Sequence, residues 1–222
     1  MSSALASEAV RRVLARLAAA GAAEDGPAKL RVRAREAELG AKVYGAERAD
    51  LYGSAPIAVA PEVGRLLYLL AAARRPSVVV EFGASLGVST IHLAAALRDA
   101  GSGRVIATER QPQKARGALE NLREAGLDDL VEMRIGDATD TLRELPADVD
   151  MVFLDGWNDL YLPVLALVEP RLRPHALVVA DLSADDPHCL AYRERMLERA
   201  GDYVSVDVPL DEGVLLSARL PG

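Results

Sequence analysis

VVEFGASLGVSTIHLA, residues 79–94, is the stretch that decides the fold. It opens inside the run SVVVEF (77–82), which is β-branched and apolar except at Glu81, the composition of a strand covered on both faces. Gly83 and Gly87 bracket a short loop, and from Val88 to Asp99 the spacing turns helical. Working outward, the same alternation repeats. Arg104–Thr108 reads as strand, Pro112–Ala125 as helix, Val131–Ile135 as strand and Thr139–Leu145 as a short helix. Asp150–Leu154 (DMVFL) is strand, Leu160–Leu172 helix and Ala176–Ala180 (ALVVA) strand. Short apolar strands separated by helices specify a mostly parallel sheet, and right-handed crossovers make it a doubly wound α/β fold. After a helix at Pro187–Ala200, Tyr203–Val208 and Val214–Arg219 flank the turn-rich Pro209–Gly213, so an antiparallel C-terminal hairpin completes the sheet.

The first ~50 residues carry no strand pattern. They read as a helix over Ser3–Ala20, a break at Gly21–Pro27 marked by Gly21, Asp25, Gly26 and Pro27, and a second helix from Ala28 to Val43. Residues 1–53 are therefore expected to form a helical extension and residues 54–222 the α/β domain, with Pro61–Ala73 as an amphipathic helix at its start. A chain of 222 residues buries enough surface for one large core. The lone Cys189 excludes an intrachain disulfide framework and a cysteine-rich zinc site. A net charge of −7 argues against a nucleic-acid partner. No stretch has the ~18–20 apolar residues of a membrane span, and no signal-peptide pattern opens the chain, so a cytoplasmic protein is expected. Only Lys29, Lys42 and Lys114 are lysines, so no lysine does chemistry in the second half of the chain.

In an open α/β sheet, ligands bind beyond the carboxyl ends of the strands. Here those ends read Glu81–Gly87, Glu109, Gly136-Asp137-Ala138, Asp155-Gly156-Trp157 and Asp181. One acidic strand end is ordinary; five in order on one rim mark a site. The first loop is E-x-G-x-x-x-G, which departs from the dinucleotide fingerprint G-x-G-x-x-G. Glu81 just before it repels a pyrophosphate and suits a ligand carrying a cation, while Ser85 and Ser89 offer hydroxyls to a carboxylate. Glu109, about 22 residues beyond Gly87, stands where an acid accepts hydrogen bonds from ribose hydroxyls, with Arg110 beside it.

These residues, in this order, resemble the class I S-adenosylmethionine-dependent methyltransferases, and among them the catechol and caffeoyl-CoA type O-methyltransferases. The resemblance is carried by APIAVAPEVGRLL (55–67), VVEFGASLGVSTIHLA (79–94), TER (108–110), IGDATDTL (135–142), DMVFLDGWNDLYLPVL (150–165) and LRPHALVVADLS (172–183). It implies a Rossmann-like methyltransferase domain that binds S-adenosylmethionine and methylates a hydroxyl of a small phenolic or natural product. It also implies that Glu109 holds the ribose, and that Ser89 with the backbone near Val59 holds the methionine carboxylate. Glu81, Gly83 and Ser85 would line the methionine side and Asp155 face the amino group, with Asp137, Ala138 and Trp157 flanking adenine.

Two departures bear on the chemistry. The family's metal site takes two aspartates and an asparagine directly after the second; this chain has Asp155 and Asp181 but Leu182. The family's catalytic lysine falls on Asn158. Removing one oxygen donor weakens a magnesium site, so metal dependence is not expected. A general base must then replace the metal, and of His92, His175 and His188 only His188 sits in a loop on the correct rim, with Asp185 and Asp186 beside it. Two other readings compete. An NAD-linked oxidoreductase accounts for Glu109 but not for the altered glycine loop, and a non-catalytic S-adenosylmethionine-binding protein accounts for Leu182 and Asn158. The helical N-terminus offers a surface for a homodimer partner or a lid over the site.

Overall fold

The computed structural model describes residues 3–53, 55, 57–146, 148–184 and 186–222, with Asp25 and Ala46 as backbone only. Asp185, the second expected partner of His188, lies outside the described residues. Seven strands form one sheet: β1 (Val78–Phe82), β2 (Arg104–Glu109), β3 (Val131–Ile135), β4 (Val149–Leu154), β5 (Leu172–Asp181), β6 (Tyr203–Val208) and β7 (Val214–Arg219). Their order is β3-β2-β1-β4-β5-β7-β6. β1 to β5 pair in parallel, and β7 runs antiparallel between β5 and β6, as the hairpin predicted. The order reverses between β1 and β4, which opens a crevice above their carboxyl ends.

The helices are α1 (Glu8–Leu39), α2 (Gly45–Tyr52), α3 (Pro61–Arg74), α4 (Val88–Ala100), α5 (Pro112–Ala125), α6 (Ala138–Thr141), α7 (Tyr161–Val168) and α8 (Pro187–Glu198). The two-residue period of the strands sorts the core into two halves. Val79 and Phe153 face a half shared with Val13, Leu67, Ile91 and Leu122 from α1, α3, α4 and α5. Val80 and Val152 face the other, with Leu142, Val164, Tyr192 and Met196. The same alternation turns Phe82 into the second half and Glu81 beneath α4.

Three sequence expectations need correction. No break occurs at Gly21–Pro27: α1 runs unbroken for 32 residues with Pro27 inside it. Pro27 removes one helical hydrogen bond, but packing overrides that loss. Val10, Val13 and Leu17 join the domain core, and beyond the proline Ala28 and Val32 are buried against Tyr52 and Ala55. The eight-residue α2 was not foreseen; it is too short for a periodic signal. β5 starts at Leu172 rather than Ala176, because its register against β4 shifts between the Val149–Leu172 and Met151–Leu177 pairs, with His175 at φ +63°. Less far from expectation, α6 stops at Thr141, and α7 is flanked by short 3-10 turns at Asn158–Leu160 and Glu169–Arg171. No helix among the described residues is long and apolar enough to cross a membrane.

Candidate active site

The parallel order places the ends of β1, β2, β3, β4 and β5 on one rim, so the five acidic strand ends converge. The first loop is stitched to its neighbours. Gly83 and Ala84 donate backbone N–H groups to the Thr108 carbonyl (3.2 and 2.9 Å), and Asp155 donates its own to the Phe82 carbonyl (2.9 Å). Gly83 has φ +95°, and a Cβ there would lie 2.5 Å from the Asp155 carbonyl oxygen. Glycine is required at this point for the close crossing of two strand ends as much as for a ligand. Gly156 obeys the same logic: a Cβ would stand 2.3 Å from the Phe82 ring.

Glu81 is fully buried. Thr90 donates to its Oε2 (2.6 Å), while its Oε1 has no hydrogen-bond partner. Burial pushes its carboxyl up to about 7, against the Ser89 and Thr90 hydroxyls, which favour the charged form. The Ser85 hydroxyl is also buried without a partner, on a residue with φ +48°. A buried carboxylate oxygen and a buried hydroxyl, both unpaired beside one glycine loop, form a place for a ligand with a cationic group and further polar atoms.

Glu109 bridges two loops. Its Oε2 accepts from the Ser85 N–H and its Oε1 from the Gln111 N–H, both at 2.8 Å. A carboxylate has about four acceptor sites, so two remain for hydroxyl donors. Lys114, in the first turn of α5, is buried, and its ammonium is pushed down by that burial while Glu109 opposes the shift. The sequence reading passed over Lys114; the signal was its place five residues after Glu109 in a chain with three lysines. Asp137 caps α6, accepting from the Thr139 N–H (2.8 Å) and hydroxyl (2.7 Å), which hold its carboxyl below the usual range. Arg110 is exposed nearby and adds a smaller pull in the same direction. Ala138 and Val59 are buried. Trp157, expected at an adenine, is engaged by Tyr52, ring centroids 6.1 Å apart, on the cluster of Ala28 and Val32.

The opposite side of the crevice is built differently. Burial raises the Asp155 carboxyl well above the carboxylate range, helped by Asp181, Glu81 and Asp211. Asp181 is pushed up to about 7 by burial and then by Asp211 and Glu212. The last two come from the turn before β7, which the sequence reading treated only as a hairpin connection. Leu182 is buried in the core half of α7 and α8, and its N–H donates to the Gly213 carbonyl (2.8 Å). Tyr161 donates its hydroxyl to the Asp181 carbonyl (2.5 Å). A hard divalent ion wants about six oxygens. The donors here do not fit one: the third position is an inward-facing isobutyl group, and no group of three or more His, Cys, Asp or Glu among the described residues is arranged for a metal.

His188 lies in the first turn of α8. Its Nδ1 stands 3.1 Å from Asp186 Oδ1, and since a carboxylate only accepts, the ring donates there. Its ring meets Tyr44 edge to face, centroids 5.2 Å apart. His92, by contrast, is a packing residue, buried with Nδ1 2.8 Å from the Val88 carbonyl. His175 sits near the start of β5, at the far end of the sheet.

Residues 80–181 match the family model for a methyltransferase domain. The chain is 36% identical over 162 residues to the catechol O-methyltransferase of Mycobacterium tuberculosis, covering 68% of this chain and 72% of that protein. To the catechol O-methyltransferase of Niastella koreensis it is 35% identical over 133 residues, covering 58% of this chain and 59% of that one. Among solved structures, the O-methyltransferase TomG of Streptomyces achromogenes, involved in tomaymycin synthesis and in complex with S-adenosylmethionine, superposes with TM-score 0.65 at 30% identity, covering 74% of this chain and 82% of TomG. The chain belongs to the class I S-adenosylmethionine-dependent O-methyltransferases. Its chemistry is transfer of a methyl group from S-adenosylmethionine to oxygen, and the NAD-linked and non-catalytic readings find no support.

Proposed function

We propose that the enzyme methylates a hydroxyl of a small, flat, phenolic acceptor, using His188 rather than a metal ion to take the proton. The observation that carries the reading is the Asp186–His188 pair on the rim beside a metal donor set that lacks its third member. Asp186 is buried and keeps the proton on Nδ1, which leaves Nε2 as an acceptor. Tyr44, Tyr52 and Trp157 supply aromatic surface nearby, and the named activity of the two relatives supports an aromatic acceptor.

When bound, S-adenosylmethionine supplies a methyl group on a positively charged sulfur. In this reading Glu81 and Ser85 hold its amino acid end with Ser89 and the backbone at Val59, and Gly83 leaves room for it. Glu109 accepts from the ribose, and Asp137, Ala138, Arg110 and Trp157 surround the adenine. Asp155 orients the acceptor side without a metal. His188 removes the hydroxyl proton at Nε2 as the oxygen attacks, so the oxygen becomes nucleophilic only where the methyl is in line. Single-turnover methyl transfer to a catechol panel tests this. His188→Ala should slow the chemical step by about 10²–10⁴ and leave S-adenosylhomocysteine affinity unchanged. Equal rates for wild type and variant would remove His188 from the chemistry.

A further inference from the structure

The glycine loop is gripped from two sides, and only one grip belongs to the site described above. On one side Glu109 accepts the Ser85 N–H. On the other, the Asn121 side-chain amide donates from Nδ2 to the Leu86 carbonyl (2.9 Å). The two bonds hold consecutive residues of the loop, on either side of the left-handed Ser85 backbone. Asn121 is 5% exposed, lies three turns into α5 and points at a loop 35 residues away in sequence. The same face of α5 is kept small to admit the loop: a Cβ at Gly117 would meet Leu86 Cδ2 at 3.0 Å, and Ala118 abuts Gly87.

The other end of that amide faces the N-terminal extension. Arg16 of α1 donates from Nη2 to Asn121 Oδ1 (3.0 Å) and is itself held by Glu124 (2.6 Å). A second tie runs parallel to it. Gln111 donates its N–H to Glu109 and its side chain to the Ala49 carbonyl of α2 (3.3 Å). The extension is thus connected, through Arg16 and through Gln111, to both side chains that grip the glycine loop, Asn121 and Glu109.

We propose that Asn121 is a positioning residue of the cofactor loop, and that through it the docking of helix α1 is coupled to S-adenosylmethionine binding. The loop must hold a non-glycine residue at positive φ and keep the Ser85 hydroxyl buried and unpaired, an arrangement that costs energy unless clamped. Arg16 polarises and orients the Asn121 amide, Asn121 fixes the Leu86 carbonyl, and the Ser85 hydroxyl is pre-set. By reciprocity, a cofactor that tightens the loop must also tighten α1. The inference rests on the reading that residues 83–87 hold the cofactor.

The test measures S-adenosylhomocysteine binding by calorimetry, the KM and kcat for S-adenosylmethionine, and apo-protein Tm. Asn121→Asp keeps the size and the acceptor for Arg16 but places an acceptor against the Leu86 carbonyl. It should weaken S-adenosylhomocysteine about 10-fold and raise KM alike, with kcat at saturation within about threefold. Arg16→Ala, at the surface, should weaken binding about two- to threefold, and S-adenosylhomocysteine should slow amide exchange in α1 around Arg16 in wild type and less so in this variant. Glu109→Ala serves as the control for the site itself. If it weakens binding while Asn121→Asp and Arg16→Ala leave affinity and α1 exchange unchanged, the coupling is wrong and the site stands. If Glu109→Ala is also without effect, the loop does not hold the cofactor. Should Asn121→Asp fail to fold, Arg16→Ala and the exchange measurement decide alone.

Discussion

The two sides of the crevice solve opposite problems. On the β1–β2 side, acids are matched with donors: Glu109 takes two backbone N–H groups and Glu81 takes a hydroxyl, with one oxygen left over for a ligand. On the β4–β5 side, burial raises the carboxyls of Asp155 and Asp181, the charges of Asp211 and Glu212 add to the rise at Asp181, and Leu182 beside them is packed into the core. The acids of the first side are held by donors from neighbouring loops; those of the second crowd together with an apolar side chain beside them. The difference teaches that acids on one rim can be held in opposite ways, because each strand end meets different neighbours.

The sharpest way to break this comparison is on the β1–β2 side. Glu109→Ala removes a charged acceptor of two expected ribose hydrogen bonds, each worth roughly 1.5–3 kcal/mol, so S-adenosylhomocysteine affinity should fall by about 10²-fold or more in calorimetry. An unchanged Kd would mean that neither Glu109 nor the loop it grips at Ser85 holds the cofactor.

A second test uses pH. Glu81 titrates near 7 when folded against 4.5 in its ordinary state. Between those values the folded chain holds a proton that the unfolded chain has released, so stability falls as pH rises through the window. The loss from this group reaches about 3 kcal/mol above pH 7, and Asp181 adds to it in the same direction. Thermal unfolding of the apo protein from pH 4.5 to 8 should show this decline, and Glu81→Gln should flatten it. A bound ammonium group reverses the sign, so the stabilisation by S-adenosylmethionine should grow over the same range.

Packing beneath the crevice is tested by Gly156→Ala. Its methyl collides with the Phe82 ring, and overpacking of this kind costs about 1–3 kcal/mol in urea unfolding. Phe82→Leu in the same chain should recover part of that loss; strict additivity would show that the ring and the glycine do not interact. The smallest effect is expected on the β4–β5 side. Leu182→Asn restores the family's third donor and should raise magnesium affinity about 10-fold, read by titration of the apo protein, if Asp155 and Asp181 are still poised. No gain would mean that the side chain at 182 stays turned into the core.

The architecture and the rim were legible because they follow from period and order. Continuous apolar runs such as Val78–Val80 and Met151–Leu154, each followed by a helix, leave a parallel sheet as the only economical pairing, and a parallel sheet puts Glu81, Glu109, Asp155 and Asp181 on one edge. The departures at Leu182 and Asn158 were equally readable, since residue identity needs no coordinates. Chain order also set β7 antiparallel, through the turn at Pro209–Gly213.

What only tertiary structure decided involves contacts between segments distant in sequence. α1 passes through Gly26 and Pro27 because buried residues on both sides of them, Leu17 and Ala28, gain more from packing than the local breakers lose. Trp157 reads as a ligand-stacking residue from its neighbours in the chain, and only the fold brings Tyr52 of the extension beside it. Asp211 and Glu212 look like turn residues until the hairpin folds back and sets them beside Asp181. Lys114 and Asn121 look like solvent-facing helix polar residues, and become buried only because α5 lies against the glycine loop and beneath α1. The sequence by itself determined which elements form and which acids share a rim, because those depend on local period and strand direction. The partner of each polar side chain was decided in three dimensions, because burial and a hydrogen bond at 2.9 Å depend on how separate elements pack.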